Sequence, residues 1–176
     1  MRRYIGVDPG LTGGLAVLDL LDDAALVAGL RRTPRVEITR NGKRRLDYDP
    51  PAMRALLAEA IDGGPSIHCV EVGLEAQGAR PGQGVASTYR TGLGFGLWLG
   101  LLVAARVPYR IVTPQAWKRH AGLLGADKRA SRLRAQERFP SLGAIPPADE
   151  GPAEALLLAA YLAATSPGGG SNGARI

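Results

Sequence analysis

Cysteine is almost absent from this chain. Cys69 is the single one in 176 residues, so no disulfide can form within it. Its place in the apolar run Ile67-His68-Cys69-Val70 predicts a buried core thiol. A reducing, cytoplasmic setting fits such a thiol, either in a bacterial cell or in the host cytoplasm of a phage-encoded protein. Long apolar runs are also missing. The longest, Phe95 to Ala105, is broken only by glycine. It reaches about half of the roughly 18 to 20 residues a membrane helix needs, so no membrane partner is expected. Arg2 and Arg3 are followed by strand-like, Asp-containing sequence, which does not suit a signal peptide. With no internal repeat and no linker, one domain over 1–165 is expected, followed by a disordered Gly/Ser-rich tail over 166–176. An apolar share of 45% is enough for that domain to bury a core.

Acids are scarce where bases are dense. Arg31, Arg32, Arg35, Arg40, Lys43, Arg44 and Arg45 fall within fifteen residues that hold one acid, Glu37. A second basic region, from Arg106 to Arg138, includes Lys118, Arg119, Lys128, Arg129, Arg132 and Arg134. With a formal net charge of +6, this clustering is the footprint of a polyanion binder. An Arg-rich solvated surface is the plainer alternative, and charge alone does not choose between them.

Periodicity and punctuation give the elements. Arg3 to Asp8 reads as a short apolar strand, returned by a Gly-rich turn into a second strand, Leu15 to Leu20, with Ala24 to Leu30 as a third. Arg35 to Arg40 alternates polar and apolar residues, and Asn41-Gly42 then signals a hairpin returning through Lys43 to Tyr48. Asp49-Pro50-Pro51 opens a helix that Gly63-Gly64-Pro65 closes. Ser66 to Glu75 reads as a central strand. Gly84 to Arg106 reads as a helix whose glycines mark either a close neighbour or a break near Gly92. A short strand, Pro108 to Val112, precedes a helix capped by Thr113 that carries Trp117 and Lys118. A basic helix spans Ala126 to Phe139, and an almost wholly apolar one spans about Pro152 to Ala164. Antiparallel strands followed by strand–helix alternation predict an α/β fold, a mixed sheet flanked by helices.

The acids on core elements carry the chemistry. Asp8 ends the first strand beside the turn Pro9-Gly10-Leu11-Thr12-Gly13-Gly14, where a carboxylate can face a cation and a phosphate; inside a strand it would be costly to bury. Glu71 and Glu75 lie four apart on the central strand and so point to one face. Glu75 sits at the strand's end, and the deeper Glu71 suits a structural role. Glu154 is the acid at the head of the apolar last helix, with Asp149 and Glu150 before it. Asp149 suits an N-cap and Glu150 a first-turn acid, whereas Glu154 has no such local explanation. Strand end, strand end and helix start are what a metal-dependent phosphodiesterase needs, because each cation wants several hard oxygen ligands.

Five blocks in order carry a resemblance: Ile5-Gly6-Val7-Asp8-Pro9-Gly10, Leu74-Glu75, Pro81-Gly82-Gln83-Gly84-Val85-Ala86-Ser87, Val112-Thr113-Pro114-Gln115-Ala116-Trp117-Lys118, and Asp149-Glu150-Gly151-Pro152-Ala153-Glu154-Ala155-Leu156-Leu157. Together they resemble the RuvC-like Holliday-junction resolvases, most nearly the bacteriophage and prophage branch, over most of residues 3 to 164. The resemblance implies an RNase H-like fold, a homodimer, and a crossover junction endodeoxyribonuclease making paired, symmetric, Mg²⁺-dependent nicks in four-way DNA junctions. Two Mg²⁺ per protomer are implied, with Mn²⁺ as a possible substitute, held by Asp8, Glu75, Asp149 and Glu154. Helical geometry favours Glu150 as the fourth acid, one turn before Glu154. The phage-type pattern favours Asp149, which is taken here. Lys118, Arg119, Lys128 and Arg132 are the candidate phosphate contacts. Bacterial resolvases carry a junction-wedging aromatic soon after the central Glu; Ala76, Gln77 and Gly78 stand there instead, leaving Tyr89 of the next helix as either a substitute or a core residue. The Gly-rich helix is the natural dimer surface, or else it packs within one protomer.

Three rival readings remain. Asp8-Pro9-Gly10-Leu11-Thr12 also resembles a phosphate loop of actin-like ATPases, but no second such loop follows. A related RNase H-like nuclease acting on flaps, forks or RNA–DNA hybrids would use the same site. A non-catalytic binder of branched DNA would gain nothing from converging carboxylates.

Overall fold

The computed structural model of the chain describes residues 1–22, 24–64, 66–79 and 82–167. Strands β1 (Arg2–Asp8), β2 (Gly14–Leu21) and β3 (Ala24–Arg32) come first, followed by a hairpin of β4 (Arg35–Arg40) and β5 (Lys43–Tyr48). Helix α1 (Pro50–Asp62), β6 (Val70–Glu75), α2 (Val85–Ala105) and β7 (Tyr109–Val112) follow. The chain then runs through α3 (Pro114–Ala121), α4 (Lys128–Arg138) and α5 (Glu150–Thr165). The main sheet has the order β3-β2-β1-β6-β7, antiparallel from β3 to β1 and parallel from β1 to β7. This is the expected mixed α/β sheet, with β4–β5 standing apart as a two-stranded sheet.

Strand alternation assigns the two faces. Ile5, Val7, Val70, Val72 and Leu74 pack on one side with Met53 and Leu57 of α1 and Trp98 and Leu102 of α2. Tyr4, Ala16 and Leu18 face the other side, where α5 brings Ala155, Leu156, Ala159 and Leu162. Gly6 and Gly73 are in register on neighbouring strands of this second face. A Cβ at Gly6 would lie 1.9 Å from the Ala155 carbonyl oxygen, so α5 can seat on the sheet only because that side chain is missing. Asp8 and Glu75 lie two residues beyond this glycine pair, on the same face and at the C-terminal ends of parallel strands.

Local chemistry accounts for most boundaries. The Asp49, Thr113 and Asp127 side chains accept from Ala52, Ala116 and Ala130 at the N-termini of α1, α3 and α4. Asn41 and Gly42 take φ of 52° and 69°, the left-handed pair of a tight hairpin. Several expectations are corrected or settled. The central strand starts at Val70 rather than Ser66, because Ser66 caps a 3₁₀ turn, Ile67–Cys69, with its hydroxyl 3.4 Å from the His68 N–H. Cys69, at the end of that turn, is half-buried rather than a core thiol. Helix α2 runs unbroken through Gly92. Its Gly94 meets Tyr48 and Pro9, whereas Gly92, Gly96 and Gly100 face open space. Helix α5 begins at Glu150, since Pro152 in its first turn needs no N–H partner there. Ser166, assigned to the tail from sequence, is buried and donates to Glu71 Oε2 at 2.5 Å. Residues 168–176 of that tail lie outside the described residues. No described helix is long and apolar enough to cross a membrane.

Candidate active site

Asp8, Glu75 and Glu154 are all buried, at 7%, 8% and 6% exposure. The Gly10 N–H donates to Asp8 Oδ1 at 3.0 Å, so the turn after β1 wraps back onto its own carboxylate. Helix α5 docks on that turn: a Cβ at Gly151 would lie 2.2 Å from the Thr12 carbonyl oxygen. This close seat sets Glu154, one turn further on, over the sheet face that carries Asp8 and Glu75.

Glu75 is gripped at both oxygens. The Trp117 Nε1–H donates to Oε1 and the Gln77 side-chain amide to Oε2, each at 2.8 Å. Burial and, next, the Asp8 charge push its carboxyl up to about 7; Glu154 adds to the rise, and the Trp117 hydrogen bond and Lys118 oppose it. The Asp8 and Glu154 charges thus oppose ionisation of Glu75 in a dry place. Ser131 donates to Glu154 Oε1 at 3.1 Å, and Lys118 Nζ stands 3.5 Å from the same oxygen and 5.2 Å over the Trp117 ring. Tyr48 closes the far side of the Asp8 turn, its hydroxyl 3.3 Å from the Pro9 and Arg90 carbonyl oxygens. Burial, then the Asp8 charge, pushes that phenol up to about 12, so it stays a donor.

Asp149 lies elsewhere. It forms an ion pair with Arg32 of β3 at 2.5 Å, and its charge is not among those acting on Glu75. Glu150 lines a neighbouring cavity of about 350 Å³ with Leu11, Thr12, Arg32, Arg35 and Gly151. Glu71 is held by Arg110 and Ser166 at the opposite end of α5, a structural placement.

Of the four basic residues expected to grip phosphates, Lys118 is inside the acid cluster and Arg119 is exposed on the same helix. Arg132 donates to the Ile145 carbonyl at 2.8 Å, tying α4 to the segment before α5. The Lys128 side chain lies outside the described residues, as does Pro81 of the Pro-Gly-Gln-Gly motif. Tyr89 is 68% exposed, so it is not a core residue. Trp117, Gln77, Ser131 and Tyr48 were not singled out for a role from sequence. The signal for Trp117 was present: the Thr113 cap and Pro114 start its helix at the end of β7, beside the end of β6.

The donor set, three buried carboxylates with one lysine to offset them, suits a hard divalent cation. As the side chains lie, no three acids among the described residues stand close enough to share one ion.

A mixed five-stranded sheet flanked by helices, with acids at the ends of β1 and β6, is the RNase H-like α/β fold seen in RuvC. The chain is similar to T. thermophilus RuvC in complex with a Holliday junction substrate, with TM-score 0.60, 18% identity, and coverage of 92% of this chain and 95% of that one. It is equally similar to a second Thermus thermophilus RuvC structure, with TM-score 0.59, 19% identity and the same coverage. No protein-family model matches the sequence, and no curated protein matches it.

Proposed function

We propose that this protein is a Holliday-junction resolvase of the RuvC-like kind, nearest the bacteriophage and prophage branch, acting as a homodimer on four-way DNA. The convergence of Asp8, Glu75 and Glu154 from β1, β6 and α5 at one end of the sheet carries this reading, and the likeness to a junction-bound RuvC supports it. Asp8, Glu75 and Glu154 would hold divalent cations, Mg²⁺ or in its place Mn²⁺, with Asp149 as fourth ligand once released from Arg32. The chemistry such ions supply when bound is activation of a water and stabilisation of the leaving 3′ oxygen. The protein's own side chains do the positioning. Trp117 and Gln77 fix both oxygens of Glu75, and Ser131 orients Glu154. Lys118 offsets the acid charge and would be the cation that meets a phosphate there. The outward side of α2, with Val85 88% and Val103 57% exposed beside the open Gly92, Gly96 and Gly100, is the surface through which two protomers would pair.

Incubation with an immobile four-way junction, a matched linear duplex and a flap, in Mg²⁺ or EDTA, tests the reading. Paired nicks confined to the junction and abolished by EDTA are expected. Flap cleavage alone would make the protein a different RNase H-like nuclease, and junction binding without cutting would make it a binder.

Trp117→Phe keeps an aromatic ring in the core, at some loss of packing volume, and removes the N–H that holds Glu75. Metal affinity is expected to fall about 10- to 100-fold, as for other groups that orient a ligand. Calorimetric titration with Mn²⁺ reads this directly; unchanged affinity would reduce Trp117 to a packing residue.

A further inference from the structure

The β4–β5 hairpin plays no part in the acid site, yet it carries five cations, Arg35, Arg40, Lys43, Arg44 and Arg45, in fourteen residues. Its antiparallel register sorts the side chains onto two faces. Arg35, Glu37 and Thr39 share one face with Tyr48, Leu46 and Arg44; Val36, Ile38 and Arg40 share the other with Asp47, Arg45 and Lys43. On the first face Arg44 is offset by Glu37 at 3.3 Å. On the second, Arg40, Lys43 and Arg45 crowd the outer half, and none of them forms an ion pair among the described residues. Asp47, the acid on that face, sits near the base and accepts from the Tyr48 N–H.

The hairpin's root ties it to the site. Tyr48 is 5% exposed and reaches the carbonyl of Pro9, the residue after Asp8. The Asp49 N–H donates to the Pro34 carbonyl at 3.2 Å, closing the base. Arg32 and Arg35 line the cavity beside Thr12. Six-residue strands at about 3.3 Å per residue reach roughly 20 Å from this root, the length of about six base pairs of duplex.

Charge on an isolated ribbon also guards its edges against pairing with other chains. That role does not require three unpaired cations gathered at the outer end of one face. The ribbon's outer half also lacks aromatic side chains, which a single-strand platform would use for stacking.

We propose that the β4–β5 hairpin is a duplex-binding arm, whose Arg40, Lys43 and Arg45 contact phosphates of a DNA arm several base pairs from the acid site. The proposal rests on the reading of the protein as a DNA enzyme, but it has its own test. The triple variant Arg40→Gln, Lys43→Gln, Arg45→Gln keeps the Asn41-Gly42 turn. It is compared with wild type and with Arg44→Gln in EDTA, by fluorescence anisotropy on a linear duplex and on a four-way junction. Across about 50 to 200 mM salt, the triple variant's slope of log affinity against log salt should be shallower by about 2 to 3, with at least about tenfold weaker binding at the low end. Arg44→Gln should leave the slope within about one contact of wild type. An unchanged slope in the triple variant overturns the arm, whether or not junctions are cut. An equal change in Arg44→Gln overturns it too, by showing only general charge. A shallower slope in a protein that cuts no junction upholds the arm and sinks the resolvase reading.

Discussion

On the resolvase reading proposed above, Glu75→Gln should abolish junction cleavage while making the metal-free protein more stable at pH 8. The two effects have one origin. Glu75 is buried at 8% exposure beside Asp8 and Glu154, so ionising it means placing a third negative charge in a dry cluster. With its carboxyl pushed up to about 7, the folded chain holds a proton there that the unfolded chain gives up near an ordinary carboxylate pKa. Between those values the folded state binds more protons, so metal-free stability falls as pH rises from about 4.5 to about 7. Glutamine keeps the acceptor that Trp117 needs, and Gln77 can turn its amide to offer oxygen to the new NH₂ group. Metal-free Tm at pH 8 should then rise by a few degrees, for about 1 to 2 kcal/mol, and its fall between pH 5 and pH 7 should flatten. Losing a ligating carboxylate removes several kcal/mol from catalysis, on the order of a thousandfold in rate. Thermal scans at pH 5 and 8, run beside a junction assay, read both. A variant that still cuts would remove Glu75 from the active site. One that loses Tm would make it a structural acid.

Sequence disclosed what local chemistry decides. The caps at Asp49 and Thr113, the Asn41-Gly42 turn and the α/β alternation are each set by residues within a few positions, and each is where spacing placed it. The three buried acids were legible because a carboxylate at a strand end, or at the head of an apolar helix, has no cheap local explanation. Pairings across the chain were hidden. Trp117 meets Glu75 from 42 residues away, and Arg32 captures Asp149 from 117. Nothing in either local pattern distinguishes such a partner from a core indole or a surface arginine. Cys69 shows the same limit in reverse: its apolar neighbours suggested a strand, but the Ser66 hydroxyl competes for the backbone and turns that segment into a 3₁₀ coil.

Arg3 is the other residue whose partners the sequence concealed, and Asp19→Ala should expose its cost. On β1 and β2 the two are directly opposite, and the guanidinium meets the carboxylate with Nε to Oδ1 and Nη2 to Oδ2, both 2.7 Å. The side chains are 7% and 6% exposed, so water does little to screen or replace the pair. The remaining donor, Nη1, reaches the Ala60 carbonyl at 2.9 Å, near the end of α1 where carbonyls lack helical partners. Deleting Asp19 strands a cation under the helix, and breaking a buried pair from one side costs about 3 to 5 kcal/mol. In a chain of this size that is a fall in Tm of about 10 °C or more. The double replacement Arg3→Met, Asp19→Leu removes both charges together and should recover most of the loss, short of about 1 kcal/mol for the abandoned Ala60 carbonyl. Urea melts of the two variants decide the matter. A single-variant loss below about 1 kcal/mol would mean the pair is solvated after all. A double variant no better than the single would mean the site needs the arginine's hydrogen bonds rather than charge balance. Because the pair lies at the opposite end of β1 from Asp8, junction cleavage well below the melting temperature should be untouched in both.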